Sequence, residues 1–403
     1  MRNNQKLNDL VDIISGCPFE SSLFNQNGEG LPLIRVRDVN SGFAGLYYSG
    51  EYDDRFLINN GDLLIGLDGD FKCLQWTCGT ALLNQRVCKI VPRTEKINKA
   101  YLTHFLPSAL LEIHRNTNFT TVKHLSTKTI NEIRIPTPTL INQLHIANIL
   151  GQAENLIAQR KESIRLLDEF LKSTFLEMFG NPEINEKGFP FIELERLCKI
   201  IVDCPHSTPV KSKEVTNYPC IRTSELTNGY ISWNSMQYLE ESEYMKRIQR
   251  LVPQEGDIVY GREGTYGEAI RIPSGYKFSL GQRTMLFRPD LKKTNSTYLW
   301  AMVRSDFVYR QAKKKNSGST VGHVNIKDIR QFRILNPHIA LQSQFAQIVE
   351  KTEAIKTQYQ QSLQELENLY GSLSQRAFKG ELKAKEEEMM MAAEARENYK
   401  TRL

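Results

Sequence analysis

The spacing of apolar residues predicts two long amphipathic helices, at residues 140–180 and 339–380. Apolar side chains recur every three or four positions in both stretches, and the first contains no proline. A shift of 199 positions superimposes one pattern on the other and places Phe179 on Phe378. We therefore predict that the two helices form an antiparallel coiled coil. The predicted pairing residues are Ile149, Leu156, Leu167 and Phe170 on the first helix, and Ile348, Ile355, Tyr359, Leu366, Leu369 and Leu373 on the second.

The segments that precede these helices predict two related domains of the α+β class. Residues 1–139 contain short strand-like runs separated by turn residues, with one or two helical patterns among them. Residues 189–337 repeat this order with an offset that rises from 187 to 199 positions and changes only at loops. This pattern is typical of an internal duplication. The predicted boundaries are 1–139 for the first domain, 140–180 for the first long helix, 181–188 for a linker, 189–338 for the second domain, 339–380 for the second long helix, and 381–403 for a charged tail that continues the helix or frays.

Composition narrows the class of protein only slightly. The chain has 403 residues and a net charge of +6, which is compatible with nucleic-acid binding without being diagnostic of it. Its seven cysteines are odd in number and irregularly spaced, which favours reduced thiols over disulfides or a zinc site. The first residues do not form the apolar core of a signal peptide, and no apolar run reaches membrane-spanning length. We expect a cytoplasmic protein that has no metal or cofactor of its own.

No motif of a known catalytic site accompanies the two domains. The chain lacks the glycine-rich nucleotide loops, the HExxH zinc motif, the GxSxG turn and the Asn-Pro-Pro-aromatic element of amino-methyltransferases. Asp62 and Asp257 recur in both domains, but each lies in a Gly-Asp turn, where a carboxylate caps the turn. His124 and His323 also recur, without a paired serine, cysteine or metal set. The sequence therefore predicts a non-catalytic chain.

Polar residues that recur in turns and loops are better suited to nucleic acid. Arg35, Arg37 and Arg222 are predicted at strand ends beside turns. Glycine-bearing loops can bring backbone N–H groups to phosphates, and neighbouring glutamine and arginine side chains can read adenine and guanine edges. Each loop alone could be an ordinary solvated loop, but recurrence in both copies favours binding. The candidate DNA contacts are these three arginines, together with Asp68, Asp70, Lys72, Gln85, Arg86, Thr120, Thr121, Lys123 and His124 in the first domain, and Glu225, Arg262, Gly264, Thr265, Tyr266, Gln282, Arg283, Lys313, Lys314, Lys315, Ser319, Thr320 and His323 in the second.

Several of these segments together resemble the DNA-specificity subunit of type I restriction-modification systems. The matching segments are Gly61-Asp62 and Gly256-Asp257, the loops at 120–124 and 319–323, Gln143 and Gln342 after Pro138 and Pro337, and the exit at 178–182 from the first long helix. The resemblance implies two target-recognition domains that each read one half of a bipartite, asymmetric site on double-stranded DNA. The long helices would set the unread spacer and dock two methyltransferase subunits, which carry S-adenosylmethionine and methylate adenine. Restriction subunits would complete the complex.

Other functions fit the same pattern. A coiled-coil adaptor whose domains bind protein would have the same helices, and DNA binding separates it from a specificity subunit. A specificity subunit of a modification-only system would differ only in its partners. A fused enzyme is disfavoured by the missing cofactor motifs.

Overall fold

The computed structural model describes residues 4–93, 95–117, 123–264, 266–315 and 322–384. The chain divides into two compact units. Unit 1 comprises the described residues of Met1–Lys161 and Gln361–Leu403, and unit 2 comprises those of Glu162–Gln360. Each unit contains one α+β domain, which we call domain 1 and domain 2, together with about half of each long helix.

Domain 1 is built from short strands and three short helices before the first long helix. Its strands are β1 (Asn4–Lys6), β2 (Val11–Ser15), β3 (Phe24–Asn25), β4 (Leu31–Ile34), β5 (Tyr47–Tyr48), β6 (Leu57–Ile58), β7 (Leu63–Gly66), β8 (Cys73–Gln75), β9 (Ala81–Leu83), β10 (Val87–Pro92) and β11 (Arg134–Pro136). Its helices are α1 (Val36–Ser41), α2 (Lys99–Asn116) and α3 (Thr127–Asn131), and the long helix is α4 (Leu140–Phe179). Short 3-10 helices span Leu7–Asp9, Ser21–Leu23 and Asp54–Phe56. The sheet orders are β1-β11, β2-β10-β7-β8 and β3-β5-β4-β9-β6.

Domain 2 is likewise built from short strands and short helices before the second long helix. Its strands are β12 (Phe191–Glu193), β13 (Cys198–Asp203), β14 (Pro219–Ile221), β15 (Leu226–Thr227), β16 (Tyr230–Ile231), β17 (Gln237–Tyr238), β18 (Ile258–Gly261), β19 (Ala269–Arg271), β20 (Ser279–Leu280), β21 (Thr284–Pro289) and β22 (Arg333–Leu335). Its helices are α5 (Leu194–Leu197), α6 (Glu241–Arg247), α7 (Ser296–Val303), α8 (Asp306–Lys314) and α9 (Ile326–Arg330), and the long helix is α10 (Ile339–Phe378). Short 3-10 helices span Thr223–Glu225 and Trp233–Ser235. The sheet orders are β12-β22, β13-β21-β18-β19, β17-β14-β20 and β15-β16.

The two domains share the topology of their main sheets, which confirms the predicted duplication of an α+β fold. In each, the first strand pairs antiparallel with the last, as β1 does with β11 and β12 with β22. A four-stranded sheet of the same order follows, and β4 pairs in parallel with β9 as β14 does with β20. One difference is that α2, a single helix that contains Pro107, corresponds to α7 and α8. Ser305 separates α7 from α8 because its side chain caps the second helix. Another difference is that β6 pairs with β9 in domain 1, whereas β15 and β16 form a separate hairpin in domain 2.

The segment after β4 is a helix, where the sequence predicted a strand that ends in a turn. The Asp38 carboxylate accepts the backbone N–H of Arg35 at 2.9 Å, and this cap starts α1 at Val36. Gly42, at a φ of 73°, ends α1 in the left-handed conformation that glycine adopts without strain. Arg37 therefore lies on the first turn of a helix.

A buried glutamine anchors each long helix to the domain that precedes it. The Gln143 Nε2 group donates to the carbonyl oxygens of Lys96 and Pro138, at 2.8 and 2.9 Å, and its Oε1 accepts the Asn98 N–H at 2.8 Å. Gln342 makes the corresponding contacts in domain 2. Its Nε2 group donates to Pro337 O at 2.8 Å. Its Oε1 atom accepts the Asn295 N–H at 2.8 Å and the Thr294 hydroxyl at 2.9 Å. These bonds fix the direction in which each helix leaves its domain.

The two long helices pack together, but the predicted pairing face is partly wrong. Leu156, Phe170 and Leu369 are each 49% exposed, and Ile355 is 41% exposed. These four side chains therefore do not form a buried seam. The other predicted pairing residues are half-buried, and they are Ile149, Leu167, Ile348, Tyr359, Leu366 and Leu373.

The ends of the long helices bury a different face, which packs on the domain cores. In unit 1, Leu150 of α4 and Ala377 of α10 belong to the core of domain 1. In unit 2, Phe179 of α4 and Phe345 of α10 belong to the core of domain 2, and the Phe179 ring lies 4.7 Å from that of Tyr298. Because each helix end touches both a partner helix and a domain, its buried stripe is rotated towards the domain.

The described residues after α10 do not continue the helix, so of the two expectations for the tail this short segment fits the frayed one. Gly380, at a φ of 76°, follows the end of the helix, and residues 381–384 are not helical. The Ala384 N–H donates to the Asn142 side chain at 2.8 Å, so this short segment lies against the start of α4. Residues 385–403 lie outside the described residues.

Candidate nucleic-acid interface

An open depression of about 520 Å³ on domain 1 brings together three separate segments. They are the start of α1, the loop after β7 and the turn between β9 and β10. The lining consists of Arg35, Val36, Arg37, Asn40, Asp68, Gly69, Asp70, Asn84, Gln85 and Arg86. Six of the contacts predicted from the sequence lie here. Asn40 was missed, because its only signal is a position one helical turn after Arg37.

The turn between β9 and β10 presents Gln85 and Arg86 to solvent. The Asn84 carbonyl accepts the Val87 N–H at 3.2 Å, and Arg86 takes a φ of 71° at the third position of this turn. Glycine usually occupies such a position, because other side chains are strained there. In domain 2 the corresponding residue, Arg283, has a φ of 67°. An arginine at the same strained position in both domains indicates a side chain retained for a contact.

In domain 1, Asp68 holds a histidine and lies beside the turn arginine. Asp68 Oδ1 lies 2.7 Å from His124 Nδ1, and Asp68 Oδ2 lies 3.8 Å from Arg86 Nε. A backbone bridge between Asp68 and His124 joins the loops that carry them. We call Asp68, Arg86 and His124 cluster 1.

Domain 2 contains the same arrangement, with glutamate in place of aspartate. Glu263 Oε1 lies 3.1 Å from His323 Nδ1, and Glu263 Oε2 lies 3.3 Å from Arg283 Nε. A backbone bridge again joins the carboxylate residue to the histidine. We call Glu263, Arg283 and His323 cluster 2. Glu263 was not among the predicted contacts, although its alignment with Asp68 was a usable signal.

The two clusters are carried by the same backbone frame. Three N–H to O=C hydrogen bonds recur. In domain 1 they run from Leu67 to Arg86 (2.8 Å), from Leu125 to Leu67 (2.7 Å) and from Gly69 to Lys123 (3.0 Å). In domain 2 the corresponding bonds run from Arg262 to Arg283 (3.0 Å), from Val324 to Arg262 (3.0 Å) and from Gly264 to Gly322 (2.9 Å). The positions of the arginine, carboxylate and histidine are therefore set by main-chain bonds, which leaves neighbouring side chains free to differ between the domains.

Domain 2 has a buried ion pair beside cluster 2. Arg262 Nε lies 3.0 Å from Asp203 Oδ1, and Arg262 Nη1 lies 3.5 Å from the His323 ring nitrogens. His206 Nε2 lies 3.2 Å from Asp203 Oδ2. Arg262, Asp203 and His206 line a second depression, together with residues that include Lys327. Asp203 and His206 were missed by the sequence analysis, because their partner lies 59 positions from Asp203 in the chain.

Glu225 is not a DNA contact, contrary to the prediction. Its side chain is fully buried, accepts the Arg222 backbone N–H at 2.8 Å and binds the Arg222 guanidinium, with Nη2 to Oε1 at 2.5 Å. Arg35 and Asp38 form the same cap in domain 1. A carboxylate enclosed in this way stabilises the turn and does not reach a base edge. Arg222 is held from the other side by Ser235 O at 3.1 Å.

Other predicted contacts surround the clusters. Gln282 Nε2 donates to His206 O at 2.6 Å, which brings it to the second depression. The Tyr266 ring stacks on Tyr309 at 5.6 Å. Lys123 Nζ donates to His114 O at the end of α2. Lys72 is exposed beyond the lining of the first depression.

The lysine run predicted as a DNA contact lies at the end of α8. Lys313 and Lys314 are exposed in its last turn, and exposed Lys315 pairs with Asp328 at 3.4 Å. The hydroxyl-rich loop that follows is not described. The predicted contacts that lie outside the described residues are Thr120, Thr121, Thr265, Ser319 and Thr320.

The recurring turn aspartates are caps, as predicted. Asp62 Oδ2 accepts the Asn59 N–H at 2.9 Å, and Asp257 Oδ2 accepts the Gln254 N–H at 2.8 Å. Asp257 also pairs with Arg288 at 2.7 Å. These carboxylates stabilise turns and are not candidates for proton transfer.

All seven cysteines are free thiols, and Cys88, Cys204 and Cys220 are buried. Burial raises the pKa of the Cys88 and Cys198 thiols to about 12, which keeps them protonated at neutral pH. Within the described ranges, no three or more histidine, cysteine, aspartate or glutamate side chains are arranged to hold a metal ion. No helix in the described part of the chain is both long and apolar enough to cross a membrane.

Known proteins with similar structures share this architecture. The structure of the S subunit of a type I restriction-modification system from M. genitalium covers 94% of this chain and 96% of its own, with a TM-score of 0.57 and 15% identity. A structure described as the basis of complex assembly and conformational transition of the type I R-M system covers 94% and 98%, with a TM-score of 0.50 and 17% identity. These likenesses show the fold.

Sequence comparisons identify the family. The EcoBI specificity subunit of a type I restriction enzyme from Escherichia coli is 27% identical over 406 residues, which cover 94% of this chain and 85% of that protein. The MjaVIII specificity subunit from Methanocaldococcus jannaschii is 22% identical over 358 residues, with 85% and 84% coverage. The family described as type I restriction modification DNA specificity domain matches residues 3–166 and 186–368. The chain therefore belongs to the family of type I restriction-modification DNA-specificity subunits.

Proposed function

We propose that this chain is the sequence-reading subunit of a type I restriction-modification complex, and that each domain reads one half of a bipartite DNA site. The observation that carries the proposal is the recurrence of cluster 1 and cluster 2 on one backbone frame. Each cluster presents a turn arginine beside a carboxylate and a histidine, and the two arginine side chains are 56% and 57% exposed. Guanidinium groups bind guanine edges and phosphates, so the clusters are suited to DNA.

The surroundings of the two clusters support an asymmetric site. Domain 1 places Arg37, Asn40 and Asp70 in the depression around cluster 1. Domain 2 places the buried Arg262–Asp203 pair beside cluster 2. Base edges are distinguished by the donors and acceptors that face them, so two domains with different side chains read different half-sites.

The paired long helices would set the spacer between the half-sites and dock the other subunits. Their exposed apolar side chains, which a helix pair in water would not favour, offer a surface for two methyltransferase subunits. On α4 these side chains are Leu144, Leu156, Leu166, Phe170 and Leu176. The docked subunits would bind S-adenosylmethionine and methylate adenine, and restriction subunits would bind through them. This chain itself would be non-catalytic.

The test is site mapping with the chain assembled with its methyltransferase subunits. Methylated adenines in DNA treated with the complex give both half-sites and the spacer together. Arg86→Ala should weaken or relax one half-site only, and Arg283→Ala the other. The matched controls are Arg55→Ala in domain 1 and Arg196→Ala in domain 2, because both arginines are exposed and ion-paired to a carboxylate away from the clusters. Neither control should change the site.

Three results would contradict the proposal. A complex that methylates without sequence preference would show that the domains do not read DNA. A loss of affinity that is equal for all sequences in both cluster variants would reduce the clusters to phosphate contacts. Binding that is insensitive to salt would favour the protein-adaptor alternative, because DNA contacts release counterions. A complex that never recruits a restriction subunit would be a modification-only system.

A further inference from the structure

The duplication supplies an internal comparison at the residue just before each cluster carboxylate. Leu67 and Arg262 occupy the same place in the frame, because the N–H of each donates to the turn arginine and the C=O of each accepts from the residue after the histidine. Both side chains are buried, at 7% and 6% exposure. Leu67 belongs to the apolar core of domain 1, whereas Arg262 brings a charge into the same environment.

The partner of Arg262 is also specific to domain 2. Asp203 is opposite Met285 in the sheet of domain 2, as Ser15 is opposite Cys88 in domain 1. The next residue along the chain makes an equivalent bond in each domain. The Cys204 N–H donates to Thr284 O at 3.2 Å, and the Gly16 N–H donates to Val87 O at 2.9 Å. The neutral pair of Leu67 and exposed Ser15 in domain 1 thus corresponds to a charged pair in domain 2.

Stability does not explain this charged pair. Two charges lose hydration when they are buried, and an apolar replacement of similar size is often neutral or stabilising. Domain 1 shows that the shared frame accepts leucine at this place. The pair is only partly hydrogen-bonded. Arg262 Nη2 donates to Asp203 Oδ2 at 3.4 Å, whereas Arg262 Nε and Asp203 Oδ1 are 3.0 Å apart without an aligned hydrogen bond. Burial of this pair costs free energy, and its hydrogen bonding is incomplete, so its presence indicates a role other than stabilising the fold.

The pair lies where a ligand of cluster 2 would reach it. Arg262 Nη1 lies 3.6 Å from Glu263 Oε1, within cluster 2, and Arg262 lines the second depression with exposed His206 and Lys327. A guanidinium is planar and carries a fork of donors that matches the O6 and N7 acceptors of guanine. Because Asp203 occupies the Nε and Nη2 edge of Arg262, the edge formed by Nη1 and Nη2 is the one that would meet the base. A carboxylate behind a guanidinium restricts its orientation, which is the requirement for reading a base.

We propose that Arg262, positioned by Asp203, is a specificity-determining residue that makes domain 2 require a guanine at one position of its half-site. Domain 1, with leucine at the corresponding place, has no such requirement. This inference rests on the proposed function, because it assumes that domain 2 reads DNA. It goes further by assigning the difference between the two half-sites to one residue pair.

The test replaces the charged pair of domain 2 with the neutral pair of domain 1. The double variant Arg262→Leu with Asp203→Ser is assembled with the methyltransferase subunits, and bound sequences are selected from a random DNA library and sequenced. One guanine in the domain 2 half-site should lose its preference by roughly 5- to 150-fold, the range for one bidentate base contact. The domain 1 half-site and the spacer should remain unchanged.

Two further variants separate base reading from charge and from folding. Arg262→Lys keeps the charge but loses the bidentate fork, so it should lose the same guanine preference; unchanged selection would assign Arg262 to a phosphate. Arg288→Lys is the matched control, because it also keeps the charge and loses the fork, in a mostly buried ion pair elsewhere in domain 2. It should select the wild-type site.

The outcomes distinguish the inference from the proposed function. If the wild-type complex selects a bipartite sequence and the double variant keeps the same domain 2 half-site, the inference is wrong and the proposed function stands. A uniform loss of affinity without a change in the selected sequence also overturns it. If the wild-type complex selects no sequence, the proposed function fails and the inference fails with it. Thermal unfolding of the double variant within a few degrees of wild type shows that the fold is intact.

Discussion

Arg86 and Arg283 occupy a backbone conformation in which their side chains are strained, and each lies near a carboxylate that also holds a histidine. A residue chosen for turn stability alone would be glycine or asparagine. At the scale of single residues, the strained backbone at these two arginines therefore lowers the free energy of unfolding at the positions to which the proposed function assigns DNA reading. This separation of stability from binding can be measured.

Arg86→Gly should stabilise the chain and weaken DNA selection. Glycine relieves the positive φ, which offsets its greater entropy in the unfolded chain, so the free energy of unfolding should rise by up to about 1 kcal/mol. Chemical unfolding of the full chain measures this change, and sequence selection by the assembled complex measures the loss of one half-site. Arg55→Gly, in a short 3-10 helix, should instead lower stability and leave the site unchanged. A destabilised Arg86→Gly variant would contradict the strain argument.

Where both copies carry the same residue type, the sequence alignment predicted which candidate residues occupy equivalent positions, and their role in DNA binding stays a prediction. Gln85 and Arg86 aligned with Gln282 and Arg283, and the structure places each pair in the same strained turn. Glu225 was assigned wrongly, because a sequence does not distinguish a capping carboxylate from one that faces a ligand. Asp203 and His206 were missed for a different reason. Their relation to Arg262 exists only after β13 and β18 join the same sheet.

At the scale of elements, periodicity gave the long helices but not their buried faces. The helices span Leu140–Phe179 and Ile339–Phe378, close to the predicted ranges. The predicted seam assumed that each helix packs only against the other. The domain cores also cover the helix ends, and polar contacts such as Lys161 to Glu367 at 2.9 Å occur near the middle. A pattern of apolar residues does not show which neighbour will cover them.

Gln143→Leu should destabilise domain 1 and the start of α4. The substitution leaves the Asn98 N–H and the carbonyls of Lys96 and Pro138 without their partner in a buried place. Unsatisfied buried groups cost about 1–3 kcal/mol each, and partial rearrangement lowers the sum, so a loss of about 2–4 kcal/mol is expected. Chemical unfolding measures it. Gln152→Leu, an exposed position on the same helix, is the control and should change stability by less than about 0.5 kcal/mol. If the two substitutions lowered stability equally, Gln143 would not be an anchor of the helix.

Removing one heptad from each long helix should shorten the DNA spacer. Seven helical residues correspond to about 10 Å, which is about three base pairs of B-DNA. We expect that deletion of 161–167 together with 357–363 shifts the spacer by about that amount and preserves both half-sites. Replacing the same heptads with alanine-rich heptads of equal length is the control and should keep the spacer. Altered half-sites with an unchanged spacer would contradict the proposal that the helices act as a ruler.

At the scale of the whole molecule, the duplication makes domain 2 exchangeable. Residues 189–337 contain the domain between the two long helices, and the polar and aromatic contacts that anchor it to them have counterparts in domain 1. Asn295 and Thr294 bind the glutamine at the start of α10, and Tyr298 packs on Phe179 at the end of α4. A domain from another family member that keeps these three side chain types should dock in the same way.

Exchange of residues 189–337 for the corresponding domain of such a relative should change one half-site only. The reading clusters are carried by frames internal to each domain, and cluster 1 uses no residue of domain 2. Mapping methylated adenines with the assembled complex should give the domain 1 half-site unchanged, the spacer unchanged and a new second half-site. The reciprocal exchange of residues 4–138 should change the other half-site. If either exchange alters both half-sites, the domains read DNA jointly and the modular assignment is wrong.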